Sequence, residues 1–182
     1  MALLRIIVEP DPRYGVVSQR LRQKSQKIER IDEATRKLAT DMHETMMAAS
    51  GVGLAAPQVG ILQRLIVIHV PAGTEYEDDP EINLTLVNPE IQRAGGQELG
   101  AEGCLSFPDL WGDVSRYTSI TVRAQDIDGK TLKIKARGFL ARVLQHEIDH
   151  LDGVLFFDRM EAVADLHHTS EAQEEVETVP GG

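Results

Sequence analysis

The residues best suited to chemistry lie in the segment QHEIDHLDG, residues 145–153. His146 and His150 are four positions apart, so on a helix both rings project from one face and can grip one metal ion. Glu147 lies between them in the sequence and is adjacent to that face. Polar side chains on the inward face of a helix are costly unless they are satisfied, and a divalent cation satisfies neutral imidazoles directly. The spacing therefore favours a metal site, with a chance occurrence of the pattern as the alternative.

The same two histidines would suit a zinc endopeptidase. Gly153 stands where the longer pattern H-E-x-x-H-x-x-G-x-x-H needs its glycine, but Phe156 occupies the position of the last histidine. The later residues able to bind a metal in its place are Glu161, His167 and His168. All three lie in an acidic C-terminal stretch, so a third ligand is better sought upstream of the helix.

Cys104, the single cysteine of the chain, is that upstream candidate. It stands in EGCLSFP, residues 102–108, where we predict a tight loop. One cysteine and two histidines leave the fourth position of a tetrahedral ion open for water, which is the arrangement of a catalytic site. A buried, inert thiol remains the alternative interpretation of this residue on its own.

A glycine-rich segment, GVGLAAPQVG at residues 51–60, also satisfies the dinucleotide pattern G-x-G-x-x-A. That pattern should follow a strand and open a helix, whereas this segment follows a predicted helix and runs into Pro57 ahead of a strand. We interpret it instead as a loop whose glycines let the backbone approach a ligand closely. Gln58 would then be an uncharged hydrogen-bond donor held against the site.

Three segments in chain order, GVGLAAPQ, EGCLS and QHEIDHLDG, resemble the signature motifs of the peptide deformylase family. IVEPDPR near the N-terminus and LVNPEI are similar to that family as well, so the resemblance covers all but the acidic C-terminal stretch. It implies a hydrolase of protein biosynthesis that removes the N-formyl group from the formyl-methionine end of nascent polypeptides and releases formate. The residues that it implies are Cys104, His146 and His150 as metal ligands, Glu147 as catalytic carboxylate, and Gln58 with the backbone N–H of Leu105 as donors to the oxyanion.

The resemblance also implies the cofactor, which is one divalent ion, Fe(II) in the first place, with Zn(II), Ni(II) or Co(II) as substitutes. A thiolate binds all of these ions, so the types of ligand do not identify the metal. An HExxH-type zinc endopeptidase and an inactive metal-binding module on the same scaffold are the alternatives. The presence of Glu147 and Gln58 argues against the inactive module, because metal retention needs neither residue.

Four further residues are expected to bind the substrate: Val52, Gly53, Phe139 and Val143. Phe139 and Val143 share the helix stripe of His146, so with Val52 they could wall an apolar pocket for an unbranched methionine side chain. An ion pair between Glu102 and Arg116 would fix the cysteine loop behind the metal ligands. An ordinary exposed glutamate is the alternative for Glu102.

Two predicted helices would position these groups. Asp32 can cap the first, whose apolar residues recur at helical spacing until Ser50. The second carries both histidines from Gly138 to Leu151 and is closed by Gly153, which suits a left-handed cap.

The strands are predicted from apolar patterns. The continuous run 65–70 predicts a strand buried on both faces, and the alternation in 82–87 a half-buried one. Residues 119–124 and 131–136 alternate on either side of an Asp-Gly turn and predict an antiparallel hairpin. We therefore expect an α+β fold in which small mixed, largely antiparallel sheets surround a central metal-binding helix.

Length and charge bound the remaining expectations. With 182 residues and a net charge of −10, the chain suits one catalytic domain, expected at residues 1–160, followed by an acidic appendage, 161–182, that is partly helical or disordered. The uneven charge argues against sequence-specific nucleic-acid binding, although the basic N-terminal quarter could dock weakly on the ribosome. The N-terminus lacks a signal or membrane helix, so we expect a cytoplasmic protein without a membrane partner. We also expect the chain to be a monomer.

Overall fold

The computed structural model describes residues 2–170. Within them the chain forms two α-helices and eight strands. The elements are α1 (Glu33–Ala48), β1 (Gly53–Ala55), β2 (Leu65–Val70), β3 (Ile82–Gly95), β4 (Glu98–Cys104), β5 (Phe107–Arg116), β6 (Ser119–Gln125), β7 (Thr131–Arg137), α2 (Gly138–Leu151) and β8 (His167–His168). Short 3₁₀ turns lie at Ala56–Val59, Phe156–Arg159 and Val163–Asp165. Neither helix is long and apolar enough to cross a membrane.

The strands form two sheets. One has five strands in the order β1-β2-β3-β6-β7, and the other has three in the order β4-β5-β8. All strand pairs in both sheets are antiparallel. The α+β fold with antiparallel sheets is therefore confirmed.

Helix α2 lies between the two sheets. Its apolar residues Ala141, Leu144 and Ile148 join the core beneath the five-stranded sheet. On its other side, Arg142 and His146 form hydrogen bonds to the β4–β5 hairpin. The helix can therefore present polar groups toward β4 while its apolar stripe supplies the burial that stabilises it.

Strand β2 is buried on both faces, as its continuous apolar run predicts. Ile66 and Ile68 belong to the core under α2. Leu65 and Val67 face the opposite way and pack in a second core with Met42 of α1. Because successive side chains of a strand point to opposite faces, both faces of this strand need apolar residues.

The ends of both helices follow the predicted chemistry. The Asp32 side chain accepts a hydrogen bond of 2.9 Å from the Thr35 backbone N–H and caps α1. Beyond α2, Gly153 has a φ of +74°, and a Cβ there would lie 2.3 Å from the Arg22 carbonyl oxygen. Both the left-handed backbone and the close approach therefore require glycine at this position.

The region around Cys104 differs from the predicted loop. Cys104 is the last residue of β4 and pairs with Phe107 across the two-residue turn Leu105–Ser106. Strand β3 also continues to Gly95, well past the predicted end at residue 87, with irregular register between Val87 and Glu90. Glycine and charged residues lower strand propensity in β4, so the apolar pattern does not reveal the hairpin.

The segment beyond residue 160 continues the domain as far as the structure describes it. Leu166 is 2% exposed and packs in a third core with Phe107. β8 pairs with β5, and the His167 ring stacks on Trp111 at a centroid distance of 4.6 Å. The expected boundary at 160 is thus not an end of packing, and residues 171–182 of the expected appendage lie outside the described residues.

Candidate metal centre and active site

The structure brings together the three residues predicted as metal ligands. His146 and His150 are buried on one face of α2, with ring centroids 4.9 Å apart. Cys104 approaches from the end of β4, and its Sγ lies 3.3 Å from His150 Nε2. The ligand atoms of all three residues lie within 4.8 Å of one another. Metal–sulfur and metal–nitrogen bonds of about 2.3 and 2.0 Å can span such separations through one ion.

Glu102 orients the first histidine. Its Oε2 lies 3.0 Å from His146 Nδ1, which leaves His146 Nε2 on the side of the ring that faces the cluster. Burial alone would lower the pKa of His146, but its hydrogen bonds with Cys104 and Glu102 raise that pKa well above its ordinary value. The same two acidic groups would attract a divalent cation at this position.

The donor set fits such a cation. Burial lowers the pKa of His150 well below its ordinary value, and the charges of His146 and Arg116 act in the same direction. A neutral imidazole is the form that binds a metal, and a thiolate is the softest of the protein ligands. The three residues therefore suit a transition-metal ion with room for one exchangeable ligand.

Glu147 lies beside the cluster but is not one of its three ligands. The side chain is buried, and its Oε2 has no hydrogen-bond partner within residues 2–170. Burial raises the pKa of this carboxyl to about 7, although His146 opposes the rise. A carboxyl group with such a pKa can both accept and release a proton near neutral pH.

Gln58 is held with its donor end toward the site. It lies in the 3₁₀ turn after β1 and is 1% exposed. Its Oε1 accepts a hydrogen bond of 2.9 Å from the Ala55 backbone N–H, which fixes the amide orientation. Its Nε2 therefore points at Ser106 Oγ, 3.2 Å away, and at Cys104 Sγ, 3.5 Å away.

The predicted ion pair is present and buried. Arg116 donates to both carboxylate oxygens of Glu102, at 2.8 and 2.9 Å. Burial would raise the pKa of Glu102, but the hydrogen bonds from Arg116 and His146 outweigh it and hold that pKa at about 2. Arg116 also donates to Asp149, which accepts two further hydrogen bonds from Arg159. Four charged side chains thus form one network next to the metal ligand His146: Glu102, Arg116, Asp149 and Arg159.

A cavity of about 490 Å³ opens beside the cluster. The predicted substrate-binding residues Val52, Gly53, Phe139 and Val143 all line it, together with Gln58, Cys104, Leu105, His146 and Glu147. Its lining also includes Asp109, Trp111 and Thr169. The predicted substrate-binding and catalytic residues and the metal ligands Cys104 and His146 therefore line one space, and His150 adjoins it through the ligand cluster.

Sequence reasoning missed three residues of this neighbourhood. Ser106 is fully buried against Gln58, and Asp149 links Arg116 to Arg159. Arg142 lines the cavity and contacts Glu102. Ser106 and Asp149 belong to the quoted motifs EGCLS and QHEIDHLDG, and that membership was the available signal. Arg142 lies on the helix stripe beside Phe139 and had no such signal.

The endopeptidase pattern finds no support here. Phe156, at the position of its last histidine, is 1% exposed and packs edge-on against Phe107 at a centroid distance of 6.3 Å. Within residues 2–170, the metal-ligand cluster that forms is the one completed by Cys104. The third ligand thus comes from upstream of the helix.

Comparisons with known proteins agree with this site. The sequence model of the polypeptide deformylase family matches residues 4–165. A peptide deformylase of Thermomicrobium roseum is 50% identical over 175 residues, which cover 96% of each chain. The crystal structure of a peptide deformylase from Ehrlichia chaffeensis in complex with actinonin has a TM-score of 0.80 and 37% identity, covering 97% of each chain. The Met-Ala-Ser bound class I type b enzyme from Acinetobacter baumannii has a TM-score of 0.78 and 34% identity, covering 87% of this chain and 99% of that one. Because these matches span the described domain and its three motifs, the chain belongs to the polypeptide deformylase family.

Proposed function

We propose that this chain hydrolyses the N-formyl group of N-terminal formyl-methionine on nascent polypeptides and releases formate and a free amine. The observation that carries the proposal is that Cys104 and His146 line one cavity with Glu147 and Gln58, while His150 completes the metal-ligand cluster. The related enzyme from Acinetobacter baumannii, which has a similar fold, binds Met-Ala-Ser. A methionyl peptide is therefore the ligand class that best suits the cavity of this chain.

In this proposal Cys104, His146 and His150 hold one divalent ion, with Fe(II) as the native metal and Zn(II), Ni(II) or Co(II) as substitutes. When bound, the ion would supply Lewis acidity and lower the pKa of a water molecule at the centre toward neutrality. Metal analysis of protein purified without oxygen tests the assignment. Air should inactivate the Fe(II) form and spare the zinc form. Equal sensitivity of both forms would contradict iron as the native metal.

Glu147 has the role of the proton carrier. Its buried Oε2 lacks a partner among the described residues, so a water molecule in the cavity can satisfy it. The carboxylate accepts the proton of that water as the oxygen attacks the formyl carbon. It then donates this proton to the leaving nitrogen, which departs as the free amine when the C–N bond breaks.

Gln58 and Leu105 would stabilise the negative charge that develops on the formyl oxygen. The Gln58 amide is preoriented by the Ala55 N–H and directs Nε2 at the cluster. The Leu105 backbone N–H follows Cys104 in the turn that lines the cavity. Each such donor contributes about 3 kcal/mol to lowering the barrier when it is held in place before the reaction.

The apolar wall of the cavity would select the first side chain. Phe139 and Val143 precede His146 on the same helix stripe, and Val52 of the glycine-rich loop lines the same cavity. An unbranched, flexible methionine side chain fits such a space well. At the carbonyl carbon, a formyl group carries a hydrogen where an acetyl group carries a methyl. The hydrogen avoids the crowding that a methyl group would cause between the metal ligands and Gln58.

Formate release from peptides tests the function. Metal-loaded protein should deformylate formyl-Met-Ala-Ser, act more slowly on formyl-Gly-Ala-Ser, and act roughly 100-fold more slowly on acetyl-Met-Ala-Ser. Mass spectrometry identifies the products. Cleavage of an internal peptide bond with the formyl group left in place would overturn the proposal in favour of a peptidase.

A further inference from the structure

A second, smaller cavity of about 220 Å³ lies next to the main one. Gly100, Tyr117 and Gly138 are among the residues that line it. Two residues line both cavities, Phe139 and Arg142. These two side chains therefore stand between the space beside the metal cluster and the space behind it.

Arg142 is held in this position by four hydrogen bonds. Its Nη1 donates to the carbonyl oxygens of Gly100 at 3.1 Å and Val114 at 2.8 Å, and to Glu102 Oε1 at 3.0 Å. Its Nη2 donates to the Glu98 carbonyl oxygen at 3.0 Å. The guanidinium thus links α2 to both strands of the β4–β5 hairpin in a fixed geometry.

Close packing on β4 restricts the guanidinium further. The Arg142 side chain is only 14% exposed. A Cβ at Gly100 would lie 2.8 Å from Arg142 Nη2 and 3.0 Å from its Cζ. The absence of a side chain at Gly100 therefore lets the guanidinium lie against the strand, where a larger residue would displace it.

We propose that Arg142 forms the end wall of the pocket for the first side chain of the peptide and sets the longest side chain that the enzyme accepts. The inference rests on the proposed function and adds a specificity-determining residue to it. An unbranched side chain of methionine length ends at the guanidinium. A longer one must either displace a group held by four hydrogen bonds or lose its place beside the metal cluster.

The test compares two formyl peptides that differ only in the length of the first side chain. Formyl-norleucyl-Ala-Ser has the length of methionine, and formyl-2-aminooctanoyl-Ala-Ser is two methylenes longer. The parent enzyme should prefer the shorter peptide in kcat/KM by about tenfold or more. Arg142→Ala should join the two cavities and reduce this preference by about tenfold, and Arg142→Gln should reduce it less. Arg137→Ala, a change at an exposed arginine that neighbours α2, should leave the preference unchanged.

The ratio of the two kcat/KM values separates this role from a merely structural one. If Arg142 only tied the helix to the hairpin, its loss would lower both rates in the same proportion, and an unchanged ratio would refute the inference. A parent enzyme that accepts both peptides equally would also refute it. If the arginine variants fail to fold, Phe139→Ala opens the same wall and should reduce the preference for the shorter peptide. An unchanged ratio of the two kcat/KM values in that variant would refute the inference. A parent enzyme that releases formate from neither peptide would refute the proposed function itself.

Discussion

The Glu147 carboxylate lies directly against the backbone of Gly53. A Cβ at residue 53 would stand 2.3 Å from Glu147 Oε1 and 2.7 Å from its Cδ. Gly53 opens β1 and pairs with Ile68 of β2, so this end of the glycine-rich loop is anchored in the five-stranded sheet. The glycine therefore leaves the space in which the proposed proton carrier is positioned.

Gly53→Ala tests this relationship. The added methyl group must displace the carboxylate, so we expect kcat to fall by about 100-fold or more while the metal content is unchanged. Gly95→Ala is the matched control, because a Cβ there meets only Ser119 Oγ at an ordinary 3.5 Å. Steady-state kinetics on formyl-Met-Ala-Ser and metal analysis measure both effects, and normal activity of Gly53→Ala would show that the carboxylate can work from another position.

Cys104→Ala should lose most of the bound metal. The substitution removes the softest and only charged ligand of the cluster, and metal affinity depends on the complete ligand set. Elemental analysis after gel filtration gives the occupancy. The control is His43→Ala, which removes a histidine on α1 outside the cluster. Full occupancy in Cys104→Ala would exclude the thiolate as a ligand.

Glu147→Gln should separate metal binding from turnover. The amide has the shape of the carboxylate but cannot carry the proton, so we expect the fold and metal to be retained and kcat to fall by at least about 100-fold. Glu44→Gln on α1 makes the same chemical change away from the cavity and should leave kcat as it is. Activity of Glu147→Gln within tenfold of the parent would remove Glu147 from the mechanism.

Arg116→Met should destabilise the domain strongly. The change leaves Glu102 and Asp149 with fewer counter-charges in a site where Arg116 is 3% and Glu102 is 5% exposed in the side chain. Breaking a buried pair from one side costs about 3–5 kcal/mol in the free energy of unfolding. Lys27→Met breaks the pair with Glu90, whose side chains are 65% and 38% exposed, and should cost about 1 kcal/mol or less. Denaturant unfolding of both variants measures the difference, and similar values would contradict a structural role for the buried network.

Truncation distinguishes the described part of the C-terminal segment from the rest. The acidic composition predicts that a chain ending at Met160 keeps its metal and its turnover. The structure instead predicts that this chain loses stability and activity. That cut removes Leu166 and β8, and burial of one leucine alone contributes about 1.5–3 kcal/mol. A chain ending at Ser170 keeps every described contact and should match the parent. Thermal unfolding and formate release compare the two, and an unaffected shorter chain would make the segment beyond 160 dispensable.

The amino-acid sequence determines the local features of this protein on its own. The cap at Asp32, the apolar period of α1 and the double burial of β2 all agree with the predictions made from residue types and spacing. The four-residue interval between His146 and His150 likewise places both rings on one face of any helix that forms there. Such features depend on backbone periods that act over a few residues, so a sequence pattern is enough to predict them.

Tertiary structure decided the features that join distant parts of the chain. The hairpin that carries Cys104, the extension of the predicted Glu102–Arg116 ion pair to Asp149, and the position of Arg142 all depend on contacts between residues far apart in sequence. Family resemblance named some of these residues but not their distances or their burial. A strand that contains glycine and charged residues shows only a weak apolar alternation. An arginine side chain on a helix can adopt many solvated conformations. Only the packing of α2 against both sheets selects one position for each of these side chains, because burial makes every unpaired polar group costly.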